Sequence, residues 1–102
     1  MAQKKIKQIV WSKNAEKQFY KILDYLLEEA PQAIDKVGSD LLLTISELSL
    51  HYHVYPIDRF KRNNDGTYRA VVVFSYRISY QIGDTTVNIL RIRHTSREPL
   101  TF

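Results

Sequence analysis

An α+β fold is predicted: a short N-terminal strand and an antiparallel helical hairpin packed on a small, mainly antiparallel sheet. Three observations carry it. Tyr68 to Pro99 is β-rich in three segments, with a Gly83-Asp84 turn and a burst of cationic side chains (Arg91, Arg93, His94, Arg97) where the last segment runs out. Two apolar stripes of helical period precede it, and Pro31 divides them. The helices would cover one face of the sheet.

At 102 residues the chain suits a single domain spanning 1–102. Apolar residues at 44% and charged residues at 25% argue against disorder. The absence of cysteine removes disulfides, thiolate metal sites and thiol nucleophiles together, and fits a reducing cytoplasm. No run approaches the roughly 18 to 20 apolar residues of a membrane span. The start, MAQKKIKQIVW, has lysines without an adjoining apolar core, so neither a secretory signal nor a membrane partner is expected. With 15 Lys+Arg against 11 Asp+Glu the net charge is +4, which permits nucleic acid or an acidic protein and chooses neither.

In chain order, KIKQIVW (5–11) alternates imperfectly and reads as a short edge strand, and Ser12 offers an N-cap. Ala15, Phe19, Ile22, Leu23, Leu26, Leu27 and Ala30 then form one helical stripe. Pro31 drives Ala30 out of the α region and is suited to open the next helix. There Ile34, Val37, Leu41, Ile45 and Leu48 recur at steps of three and four. The short connection imposes an antiparallel hairpin, with Gly38 as a point of close approach.

Residues 49–67 hold no period and read as a loop, with a short extended piece at His53 to Ile57 and a turn at Asn64-Asp65-Gly66. Tyr68 to Ile82 is too long for one strand and should bend near Phe74 to Tyr76. Side-chain faces favour a three-residue connection, Gly83-Asp84-Thr85. It pairs Ile78 with Leu90 and Tyr76 with Ile92, and sets Arg77 across from Arg91. The sheet then has a buried face and a basic face.

The basic set is Arg69, Arg77, Arg91, Arg93 and Arg97, with Lys61 and Arg62 in the preceding loop. It reads either as a solvated sheet face or as a surface for phosphate or carboxylate groups, which suit the planar arginine fork. His94, at the last strand's end, is a strand-end cap or a general acid. His51 and His53 share an H-x-H spacing with no carboxylate or cysteine near, so no metal is expected. There is no Gly-rich phosphate loop, G-x-S-x-G elbow or H-E-x-x-H, and no cofactor is expected.

Several motifs together resemble the RelE/ParE superfamily of bacterial toxins, closer to the ParE-like branch. IVWSKNAEKQFYKILDYL is similar to its opening strand and helix, Tyr76-Arg77-Ile78-Ser79-Tyr80 to its Y-R-x-x-Y strand, and Ile89-Leu90-Arg91-Ile92-Arg93-His94 to its I-L-R-V-x-H strand. His94 to Glu98 resembles the H-x-x-R-D tail. The resemblance implies a toxin of a type II toxin–antitoxin pair, held inactive in a hetero-oligomer by a cognate antitoxin. ParE-like members poison DNA gyrase; RelE-like members cut messenger RNA on the ribosome. The first case makes Arg77, Arg91, Arg93, Arg97 and Lys61 target- or phosphate-binding. The second makes Arg77 and His94 catalytic, with Arg93 beside them, as phosphate holders or acid, and Asp58 or Lys61 as base. A domain that keeps the fold without the poison is the third. The place of His94 matches the ParE-type histidine and favours gyrase.

Overall fold

The computed structural model describes residues 5–97, of which Arg97 is placed by its backbone alone. Strand β1 (Gln8–Trp11) leads into helix α1 (Lys13–Glu29), a 3₁₀ turn (Pro31–Ala33) and helix α2 (Ile34–His51). Strands β2 (Tyr68–Val73), β3 (Tyr76–Ile82) and β4 (Thr86–His94) follow, and a 3₁₀ turn (Thr95–Arg97) closes the described chain. The sheet order is β1-β4-β3-β2, with β1 parallel to β4 and the other pairs antiparallel. Both helices lie on one face, burying Phe19, Leu41, Ile45 and Leu48 against Ile78, Tyr80, Val87, Ile89 and Ile92. This is the predicted α+β architecture.

Local chemistry explains the boundaries. Ser12 takes an extended conformation, and its Oγ accepts from Ala15 N at 3.0 Å, which caps α1. The same hydroxyl donates to the Leu90 carbonyl at 2.9 Å, tying the helix start to β4. Ala30 leaves the α region at φ −152, and Pro31 opens the 3₁₀ turn ahead of α2. A Cβ at Gly38 would meet Leu23 Cδ2 at 3.3 Å, which is the expected close approach of the two helices.

Five expectations are corrected. Leu27 is 61% exposed, because it follows the buried Leu26 by one residue, about 100° round the helix. Helix α2 runs on to His51, since Tyr52, buried, extends the Leu41, Ile45, Leu48 stripe by one more step of four. Residues 52–54 are therefore a turn, and of the extended piece only Ile57 bridges, to Arg69.

The Tyr68 to Ile82 stretch is two strands joined at Phe74-Ser75 rather than one bent strand, with Phe74 at φ 56. The β3–β4 register also differs. Gly83 N donates to Thr86 O at 2.8 Å and Ile82 pairs with Val87, one residue beyond the three-residue connection. A bulge at Leu90 then adds one more shift, so Ile78 pairs with Ile92, Arg77 with Arg93, and Arg91 with Ser79. The cause is burial: Ile89 and Ile92 both belong to the core, and a spacing of three breaks the period of two unless one residue is bulged out.

Candidate functional site

Alternation along β3 sends Tyr76, Ile78 and Tyr80 beneath the helices and Arg77 to the opposite, outer face. Arg93 and Arg91 pair with Arg77 and Ser79, so their side chains start from that outer face too. Like charges directly opposite across a ladder repel, and here one of the two arginines, Arg77, has a carboxylate partner. Asp58 Oδ1 accepts from Arg77 Nη2 at 2.7 Å, with the two side chains 0% and 14% exposed. The Arg77 guanidinium carbon also sits 4.7 Å from the Phe60 ring centroid.

The loop that carries Asp58 is fixed by its own backbone. Asp58 N donates to Tyr68 O at 2.8 Å, Phe60 N to Asp58 Oδ1 at 3.0 Å, and Asn64 Nδ2 to the Asp58 carbonyl at 3.2 Å. Asn64 Oδ1 accepts from Gly66 N and Tyr68 N, making the predicted Asn64-Asp65-Gly66 bend. The Asp65 carboxyl is held below the usual range by the Thr67 hydroxyl and backbone N–H.

The structure divides the basic set. Arg69 pairs with Tyr80 in the ladder and so belongs to the opposite face from Arg77. Its guanidinium donates to the carbonyls of Gly66 at 3.1 Å and Tyr55 at 2.8 Å, holding the loop onto β2. Lys61 Nζ donates to Arg62 O and lies 4.7 Å from the Tyr68 ring centroid. Arg91 and Arg93 are half-buried. The Arg97 side chain lies outside the described residues.

His94 is exposed at the end of β4, at the mouth of a cleft of about 590 Å³ that Gln18, Lys21, Tyr25 and Tyr76 help to line. Its ring stands edge-on to Tyr76 at 5.4 Å. Ser96 N donates to Nδ1 at 3.1 Å, which assigns the proton to Nε2. Burial, and behind it the nearby Tyr25, pushes the Tyr76 phenol up.

Arg77 and Asp58 are thus brought together, while His94 stands at the strand end with Arg93 on the cleft wall. His51 and His53 are exposed, and no group of three or more His, Cys, Asp or Glu able to hold a metal occurs among the described residues. No helix among them is long and apolar enough to cross a membrane.

Sequence reasoning missed the partner of Arg77, the Phe60 lid and the fastening role of Arg69. It also missed Gln18, whose Oε1 accepts from Ile92 N at 2.8 Å where β1 is too short to pair β4. A signal existed: Gln18 is a polar residue beside Ala15, Phe19 and Ile22 on the buried stripe.

The ParE toxin of type II toxin–antitoxin system, parDE, is the family whose profile matches, over residues 9–99. Among solved structures, the chain is similar to the chromosomal ParDE system from P. aeruginosa, with TM-score 0.67 and 15% identity over 87% of this chain and 96% of that one. It is similar also to the RelBE2 toxin–antitoxin complex from Mycobacterium tuberculosis, with TM-score 0.61 and 19% identity over 92% and 97%. A Helicobacter pylori protein solved in solution matches with TM-score 0.52 and 16% identity over 89% and 97%. No curated protein sequence matches. At these identities the structural likeness speaks for the fold, and the profile match, running from β1 past the end of β4, speaks for descent. The chain belongs to the ParE toxin family of type II toxin–antitoxin systems, within the RelE/ParE superfamily.

Proposed function

We propose that this toxin inhibits growth by binding an essential protein, DNA gyrase first among the candidates, and that a cognate antitoxin neutralises it. One observation carries the choice of a protein target over RNA cleavage. The strand arginine that would hold a phosphate, Arg77, is already paired with Asp58, and Asp58, the candidate base, is 1% exposed. A base must reach the proton it removes, and a phosphate-holding cation must be able to meet phosphate. Neither condition is met by a closed ion pair.

The antitoxin partner is supported by the neighbours, one described as a ParDE system and another as a toxin–antitoxin complex. Exposed Tyr20, Leu27, Leu43 and Val72 add apolar surface on which such a partner could rest.

A ribosome-dependent nuclease is the second reading, favoured by the placing of Lys21, Arg93 and His94 around one cleft. Brief induction of the chain without its antitoxin tests both. RNA 5′ ends and gyrase-linked DNA breaks are read in the same cells. DNA breaks with intact messages are expected; codon-phased cuts in translated messages would replace the gyrase reading with the nuclease one. Normal growth, with an antitoxin still bound, would leave a binding module that has kept the fold.

A further inference from the structure

The outer sheet face raises a question of discrimination. Arg77, Arg91 and Arg93 lie on neighbouring rungs of β3 and β4. Arginine on such a face is suited to phosphate by its planar fork, and the Arg77 guanidinium is fixed there by a carboxylate. We infer that Asp58 is a specificity-determining residue of this face: its buried carboxylate neutralises Arg77 and withholds that guanidinium from phosphate, so that the face discriminates against RNA. The inference rests on the reading of the chain as a protein-binding toxin and names the residue that enforces it.

The geometry makes Asp58 a fixed countercharge. Its backbone N–H, carbonyl and Oδ1 are all engaged, with Tyr68, with Asn64 and Lys61, and with Phe60 and Arg77 respectively. The backbone is thus fixed on both sides of the side chain, and Oδ1 is held toward its partner by the Phe60 N–H. Oδ2 is buried and has no hydrogen-bond partner among the described residues, and Arg77 is the one cation paired with Asp58 there. Drawing Arg77 toward a phosphate would strand a buried carboxylate. The Phe60 ring packs against the same guanidinium. Phosphate must therefore compete with an acceptor already in place at 2.7 Å.

The test is binding of a fluorescein-labelled oligouridylate to the full chain, followed by anisotropy over a salt series. Asp58→Asn removes the charge and keeps an oxygen for the Phe60 N–H. It should bind roughly five- to tenfold tighter at low salt and steepen the slope of log K against log salt by about 0.7, one added phosphate contact. Asp84→Asn, which makes the same charge change on the exposed β3–β4 turn, should leave that slope unaltered. Adding Arg77→Gln to Asp58→Asn should abolish the gain. Asp58→Asn binding no tighter than Asp84→Asn, or a gain that survives Arg77→Gln, overturns the inference.

A measurement on the natural chain covers the case in which Asp58→Asn fails to fold. On addition of oligouridylate, the Arg77 Nε–H resonance should stay in place while those of exposed arginines move. A shift of Arg77 comparable with theirs overturns the inference equally. Message cleavage in induced cells, by contrast, would sink the protein-target reading and is scored independently of either binding result.

Discussion

Removing the Arg77 guanidinium would leave the Asp58 carboxylate buried without a countercharge. Arg77→Ala should therefore cost about 3–5 kcal/mol in urea unfolding, and the Asp58→Asn/Arg77→Gln double variant should recover most of that loss. A cost under about 1 kcal/mol would mean that the pair does not hold the loop. Growth assays of Arg77→Ala must be read beside that figure, since a toxin that fails to fold also fails to poison. Tyr80 offers a second residue-scale test. Its hydroxyl donates to the Tyr52 carbonyl at 2.9 Å, and burial pushes its pKa well up, as it does more mildly for Tyr76. A phenol with a raised folded-state pKa contributes stability that is whole below its unfolded value near 10 and is lost as pH rises beyond it. The urea midpoint should hold up to about pH 10 and fall above it. Tyr80→Phe should cost about 1–2 kcal/mol at neutral pH and flatten the alkaline fall; an unchanged fall would assign it to other groups.

Among the elements, two short features govern the sheet. Phe74 occupies the β2–β3 turn at φ 56, where a Cβ costs about 1–2 kcal/mol. Phe74→Gly should therefore raise stability by about 1 kcal/mol, read as a higher urea midpoint at unchanged slope; a lower midpoint would show that the half-exposed ring packs better than its backbone suffers. Ser12→Ala should cost about 1–2 kcal/mol, because one hydroxyl both caps α1 and serves the Leu90 carbonyl. The helices were legible in the sequence because their stripes keep a 3.6 period and because Ser12 and Pro31 have local, side-chain-specific effects. The Leu90 bulge was less so. Its trace is the two-then-three spacing of Val87, Ile89 and Ile92, which also fits an unbulged strand with one isoleucine turned outward. The break at Phe74 was placed correctly but not recognised as a hairpin, since a phenylalanine gives no sign of adopting a positive φ. The Asp58–Arg77 pair joins residues 19 apart across an aperiodic loop, and no local rule connects them.

For the whole molecule, helices cover one face of the sheet and a loop covers part of the other, leaving Tyr20, Leu27, Leu43 and Val72 in water. If an antitoxin rests there as proposed, its binding adds to stability by mass action, about 2.7 kcal/mol at a free concentration one hundred times Kd. The melting temperature of the complex should then rise with antitoxin concentration, and a midpoint indifferent to it would argue against tight docking. The parallel pairing of β1 with β4 also has a consequence in time. Ser12 reaches Leu90 across 78 residues of chain, and the central strand β4 is the last of the four to be made. Closing so long a loop is slow, and pairing of such high sequence separation comes late in folding. A growing chain on the ribosome therefore has helices and a β2–β3 hairpin before it has a sheet. The strand that carries Arg91, Arg93 and His94 is also the one that completes the core, so this surface comes into being only once β4 has been made, and chains cut short before it lack that surface.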